Sequence, residues 1–314
     1  MINQEVYVFN SADGHTAIHC RKWMPENEPI GVVQLVHGMV EYIERYDEFA
    51  QFLAERGYLV VGHDHIGHGH SVKSDAELGI MTGEHPSDIM VEDIFAHYEL
   101  TKQAYSDVPY FILGHSMGSY MTRKFLSKKA EALGGLSGAV IMGTGQEAPF
   151  ACTAGLLVIG LLSFFRGKDY RSAFVRDMTY SAPYKAYDCY GKDYANSWLS
   201  KNTESVEKYY HDKYCTYMFS LNAYKGLVEC TKYDSKQSNV DKMRKDMPLL
   251  VVSGADDPVG NCGKGTTLAY ESFKAAGISD VTIKLYEGDR HEILNELDRQ
   301  VVYEDIYNWL EAHK

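Results

Sequence analysis

Several things are missing from this chain of 314 residues, and each absence narrows what it can be. There is no surplus of Lys and Arg: a formal net charge of −12 leaves nothing with which to neutralise phosphates, so nucleic acid is not an expected partner. No C-x-x-C pair occurs. The six cysteines (Cys20, Cys152, Cys189, Cys215, Cys230 and Cys262) lie far apart and read as free buried thiols, not as disulfides or a metal site. The N-terminus lacks the basic start and apolar run of a secretory signal, and the expected compartment is the cytoplasm. No internal repeat, low-complexity tract or long single-sign block is visible. Apolar residues at 45% and charged residues at 24% argue against disorder and against a polytopic membrane protein.

What is present is a rhythm of strands and helices. Segments 5–9 and 16–23 flank Ser11-Ala12-Asp13-Gly14 and read as an opening hairpin. Apolar runs at 31–36, 58–62 and 110–113 have the length of buried strands, and 136–142, 248–253 and 281–286 read as further strands. Helical patterns at 43–56, 87–104, 119–129, 264–276 and 297–312 alternate with them, which predicts a mostly parallel α/β sheet flanked by helices. The rhythm stops between about residues 147 and 237, a segment that holds half of the 24 tyrosines. It reads as a helical cap inserted after the strand near Met142, dividing a core of residues 1–146 and 238–314.

The central signal is Gly114-His115-Ser116-Met117-Gly118, a G-x-S-x-G turn between a strand and a helix. A nucleophile on so sharp a turn needs small neighbours, and Ser116 then projects into open space. A serine hydroxyl becomes a useful nucleophile only when a base takes its proton and an acid orients the base. His291 follows the last strand and is the candidate base. Asp256 and Asp257 both follow the strand before it; chain order leaves the two acids open, with Asp257 slightly preferred beside Pro258. The order Ser, Asp, His is that of the α/β-hydrolase fold. The developing oxyanion needs two backbone donors, expected at Met117, next to the nucleophile, and at Met39, in the loop after the strand that ends at Val36.

His63, His65, His68 and His70 could suggest a metal site. Their spacing matches neither H-x-H-x-D-H nor H-E-x-x-H, so a glycine-rich loop whose imidazoles satisfy backbone groups is the preferred reading. Neither metal nor cofactor is expected.

Four blocks together make the chain resemble the monoacylglycerol lipase and lysophospholipase-like branch of the α/β-hydrolases. They are His37-Gly38-Met39-Val40-Glu41 with Arg45-Tyr46, the run from Asp64 to Ser71, the Ser116 turn, and the run from Gly288 to Glu296. The resemblance implies that Asp257 is the acid, since the family's G-x-x-D falls on Gly254-Ala255-Asp256-Asp257. It implies oxyanion donors at Met39 and Met117, framework roles for Glu41, Arg45 and Asp64, and a cap over an acyl channel. The expected activity is hydrolysis of single-chain lipid esters through an acyl-enzyme. Alternatives are a small-ester carboxylesterase, and acyl transfer or peptide cleavage by the same triad.

Ala151 to Phe165 is very apolar, yet as a helix it spans only about 22 Å, less than a bilayer core. Two readings stand for it, a helix packed on the body and a lipid-facing or acyl-channel helix. The expected partners are therefore a lipid ester and a membrane surface met transiently through the cap, with oligomeric state left open.

Overall fold

Four strands of the computed structural model, which describes residues 2–180 and 182–314, are buried at every position. They are β3 (Gly31–Val36), β4 (Tyr58–His63), β5 (Tyr110–His115) and β7 (Leu249–Gly254). β1 (Asn3–Asn10) and β2 (Ala17–Met24) form the hairpin, and β3 leads through a 3-10 turn into α1 (Asp47–Ala54) and β4. α2 (Pro86–Ala104), β5, α3 (Met117–Lys128) and β6 (Leu136–Met142) follow. Then come α4 (Pro149–Arg166), α5 (Ala173–Thr179), α6 (Thr203–His211), α7 (Leu221–Asp234) and the short α8 (Gln237–Val240). β7, α9 (Lys264–Ala275), β8 (Val281–Tyr286) and α10 (Arg299–Ala312) complete the chain.

The eight strands form one sheet in the order β1-β2-β4-β3-β5-β6-β7-β8. β2 runs antiparallel to both neighbours and every pairing from β4 to β8 is parallel. Helices cover both faces and generate two large apolar cores: Phe125, Met90 and Ile112 belong to one, Phe49, Phe111 and Tyr303 to the other. Burial on both faces is why the central strands read as unbroken apolar runs.

The connection from β6 to β7 contains helices, 3-10 turns and, among the described residues, a single isolated bridge between Asp188 and Ser197. A third, smaller apolar cluster lies wholly in this region around Trp198, Leu199 and Val206, and Tyr180, Tyr184 and Tyr210 are among the tyrosines that pack on it. α4 is longer than the apolar run suggested because Pro149 occupies its first turn, where the missing N–H costs nothing. Its 18 residues have a mean hydropathy of 1.7 and rise about 27 Å, so by length and composition the helix meets the lower limit of a membrane span, against expectation. Only Cys152 and Ile159 on it are buried, where it packs on α7.

Five cysteines are buried and unpaired as expected, whereas Cys262 is exposed in the loop after β7.

Candidate active site

β5 hands the chain to α3 through one residue. Ser116 sits between them at φ 54° and ψ −123°, a strained backbone for a side chain, and its N–H is anchored to the Met142 carbonyl of neighbouring β6 at 3.0 Å. The flanking glycines are obligatory. A Cβ at Gly118 would lie 2.0 Å from the Val36 carbonyl oxygen, and one at Gly114 would lie 2.4 Å from that of Gly118. α3 therefore begins at Met117, two residues before the helical pattern in the sequence begins.

The hydroxyl of Ser116 donates to His291 Nε2 at 2.8 Å, and His291 Nδ1 lies 3.0 Å from both carboxylate oxygens of Asp257. Asp257 is fully buried, accepting also the Ser253 hydroxyl and the Val259 N–H at 2.8 Å each. Burial opposes its ionisation, yet the His291 ring and these two donors hold its carboxyl below the usual range. Asp256, the competing acid, is exposed and contributes backbone groups: its N–H donates to the Asp289 carbonyl and its carbonyl accepts the Tyr187 hydroxyl.

Met117 opens α3, so its N–H has no partner within the helix. Met39 and Met117 line the same cavity as Ser116. The loop carrying Met39 is held from three sides. Gly38 N–H donates to Glu41 Oε1 at 2.6 Å, His37 Nδ1–H donates to the Gly38 carbonyl at 2.8 Å, and His37 Nε2 accepts the His65 N–H at 3.0 Å. Val40 completes the turn at φ 54°.

Behind Ser116, His291 and Asp257 lies a buried polar network. His115 Nδ1 reaches Glu41 Oε1 at 3.1 Å, and Nε2 lies 3.3 Å from the His291 carbonyl. Burial disfavours a charge on His115, but acceptors on both ring nitrogens, with Glu41 foremost, raise its pKa. Asp64, read as framework, accepts the Ile43 and His70 N–H groups, which ties the histidine loop to the segment that follows the Met39 loop. Burial still pushes its carboxyl up to about 7.

His37, His63, His65, His68 and His97 form a buried chain of imidazoles with ring centroids 4.3 to 5.2 Å apart. Burial lowers the pKa of His37 to about 4, and those of His68 and His97 to about 3. His65 and His68 partly satisfy backbone carbonyls, as anticipated; His70 stands apart and exposed. Among the described residues no three or more His, Cys, Asp or Glu side chains converge as ligands.

A cavity of about 520 Å³ opens onto Ser116. Gly155 and Ile159 of α4, Val175 of α5 and Tyr224 of α7 are part of its wall, so the β6 to β7 connection supplies much of the lining. Trp198 and His115, neither singled out in the sequence, both stack near the His291 ring. The only signal for Trp198 was that it is one of three tryptophans.

A half-buried serine hydrogen-bonded to a buried histidine and aspartate, on a doubly covered parallel sheet, defines a serine hydrolase of the α/β-hydrolase fold. The chain belongs to the serine aminopeptidase, S33, family, whose model matches residues 27–298. It is 27% identical to the monoglyceride lipase of Mus musculus over 308 residues, covering 96% of this chain and 88% of that one. It is 26% identical to the monoacylglycerol lipase of Mycolicibacterium smegmatis over 294 residues, with 93% and 91% covered. Among solved structures, a thermostable carboxyl esterase from Bacillus coagulans in complex with glycerol superposes with a TM-score of 0.86 at 25% identity, covering 100% of this chain and 99% of that one. The resemblance carried by the four sequence blocks thus extends along nearly the whole chain.

Proposed function

We propose that this enzyme hydrolyses esters of single-chain lipids, of monoacylglycerol or lysophospholipid type, through an acyl-enzyme on Ser116. The observation that carries this reading is the Ser116–His291–Asp257 hydrogen-bonded chain opening into a cavity walled by the apolar helix α4. As Ser116 Oγ attacks the ester carbonyl, His291 Nε2 takes its proton, and Asp257 holds the imidazole with Nδ1–H toward itself. The N–H groups of Met39 and Met117 receive the oxyanion, each donor being worth roughly a hundred- to a thousandfold in rate. His291 returns the proton to the leaving alcohol, then activates the water that releases the fatty acid.

In this reading residues 147–237 are the cap and residues 1–146 and 238–314 the catalytic body. The outer side of α4 is the surface by which the cap meets lipid: Phe150, Leu157, Leu161, Phe164 and Phe165 are all exposed, Phe164 to 83%. The cytoplasm is the compartment that six unpaired cysteines suit.

The likeness to a carboxyl esterase supports a second reading, a small-ester carboxylesterase. A chain-length series of monoacylglycerols and nitrophenyl esters separates the two. Preferential turnover of medium and long chains is expected; turnover of acetyl esters alone replaces the lipid reading with the second. Aminoacyl amides and an added alcohol acceptor in the same assay test peptide cleavage and acyl transfer.

A further inference from the structure

Trp198 lies in the irregular stretch between α5 and α6, outside every helix and strand. Its indole is 7% exposed and stacks on the His291 imidazole, with centroids 5.0 Å apart and planes 26° from parallel. Tyr184 and Tyr180 buttress the indole at 5.4 and 6.1 Å. The backbone ties are denser than packing one aromatic side chain requires. Arg290, which precedes His291, donates from its guanidinium to the carbonyls of Ala195, Ser197 and Ser200, and the N–H of Glu292, which follows His291, donates to the Leu199 carbonyl at 2.8 Å. The Glu296 carboxylate accepts the Arg290 N–H from one segment and the Ser200 hydroxyl and Lys201 N–H from the other. Both chain neighbours of the imidazole thus hold the chain on both sides of the indole.

We propose that Trp198 is a positioning residue for the acid–base step, clamping the His291 ring and stabilising its protonated form. The inference rests on the reading of Ser116, His291 and Asp257 as the triad. When His291 takes the serine proton it becomes a cation, and the negative face of the indole attracts that cation more than the neutral ring. The interaction therefore strengthens only as the reaction proceeds, which is the condition for raising kcat. The stack also restricts rotation of the imidazole, keeping Nε2 on Ser116. Segment 195–202 consequently moves with the histidine loop, which leaves α4 and α5 as the elements that can part to admit substrate.

The experiment compares W198L, which fills the space without an aromatic face, with W198F, which retains one. Both are assayed on a short water-soluble ester across pH. The titratable and charged groups around His291 are Asp257, His115 with Glu41 behind it, and Arg290 and Glu292 on either side in the chain, all common to both variants. W198L should lower kcat about 3- to 30-fold with KM within about twofold, and should move the acidic limb of kcat/KM about half a pH unit lower. W198F should recover most of both effects. Unchanged kcat and limb in W198L, or W198F behaving as W198L, would overturn the proposal.

A fluorescence titration keeps it testable should W198L misfold. Imidazolium quenches indole emission, so the Trp198 signal, isolated as wild type minus W198F, should fall through the acidic limb and should not do so in His291→Ala. A flat signal overturns the stack. Failure of the triad itself reads differently: wild-type protein would then not react with a fluorophosphonate at Ser116.

Discussion

Arg45 holds the carboxylate of Glu292 through two parallel N–H···O bonds of 2.8 and 2.7 Å, and the same guanidinium reaches Glu41 at 2.8 Å. One partly buried cation thereby joins the residue after His291 to the carboxylate that accepts the Gly38 N–H. The His291 loop and the Gly38–Met39 loop, brought by distant stretches of chain, share a single anchor.

Removing that anchor as Arg45→Met leaves two buried carboxylates facing each other without a cation. The expected cost is about 3–5 kcal/mol of unfolding free energy, measured by urea denaturation. Arg45→Lys should fall between, since it keeps the charge and loses the planar two-bond grip.

Asp257 and Asp256 are adjacent, but only the first touches the imidazole. Asp257→Asn should lower kcat about ten-thousandfold by stabilising the wrong tautomer of His291, whereas Asp256→Asn should stay within about tenfold. Ser116→Ala should cost about a millionfold. Steady-state rates on one soluble ester decide all three; a larger loss in Asp256→Asn would reassign the acid.

His68 provides a test on stability. Burial lowers its folded pKa to about 3, against about 6.5 for an unfolded histidine. Between these values the unfolded chain binds a proton that the folded protein refuses, so this residue contributes a loss of stability as pH falls from about 6.5 toward 3. His68→Gln retains a donor for the Ile66 carbonyl and removes the titration. Its stability should fall less steeply than wild type over that window, by up to about 1.4 kcal/mol per pH unit. Urea unfolding at a series of pH values between about 7 and about 4 reads the difference, and equal slopes would contradict it.

The outer face of α4 carries no group of the site. A Leu157→Glu, Phe164→Glu double variant should lose co-sedimentation with phosphatidylcholine vesicles and keep its rate on a water-soluble ester within about twofold. Retained vesicle binding would point to some other surface.

Strands, and the chain order of the three side chains that meet at Ser116, were legible because each leaves a local mark. β3, β4, β5 and β7 are buried on both faces, and the glycines around Ser116 answer clashes with atoms close by in the fold. Helix starts were less legible: residues 43–46 form a 3-10 turn before α1, since a helical pattern does not distinguish i+3 from i+4 bonding over so few residues. Trp198, His115 and the Arg45–Glu292 pair act through contacts between segments that no spacing rule connects, unlike the Glu41–Arg45 pair four residues apart. Their roles follow only from the sheet order that brings β3, β5 and the last loop together.

α4 is attached to the protein by little, with two buried side chains in 18 residues. Its amide hydrogens should therefore exchange through openings at the low end of the free-energy scale. A ligand in the cavity lies against Gly155 and Ile159 and supplies contacts the helix otherwise lacks. By linkage, whatever free energy the ligand gains from a docked α4 is returned as protection of that helix. Exchange along Pro149–Arg166 thus becomes a turnover-independent gauge of affinity, usable on the Ser116→Ala protein with an intact ester in place.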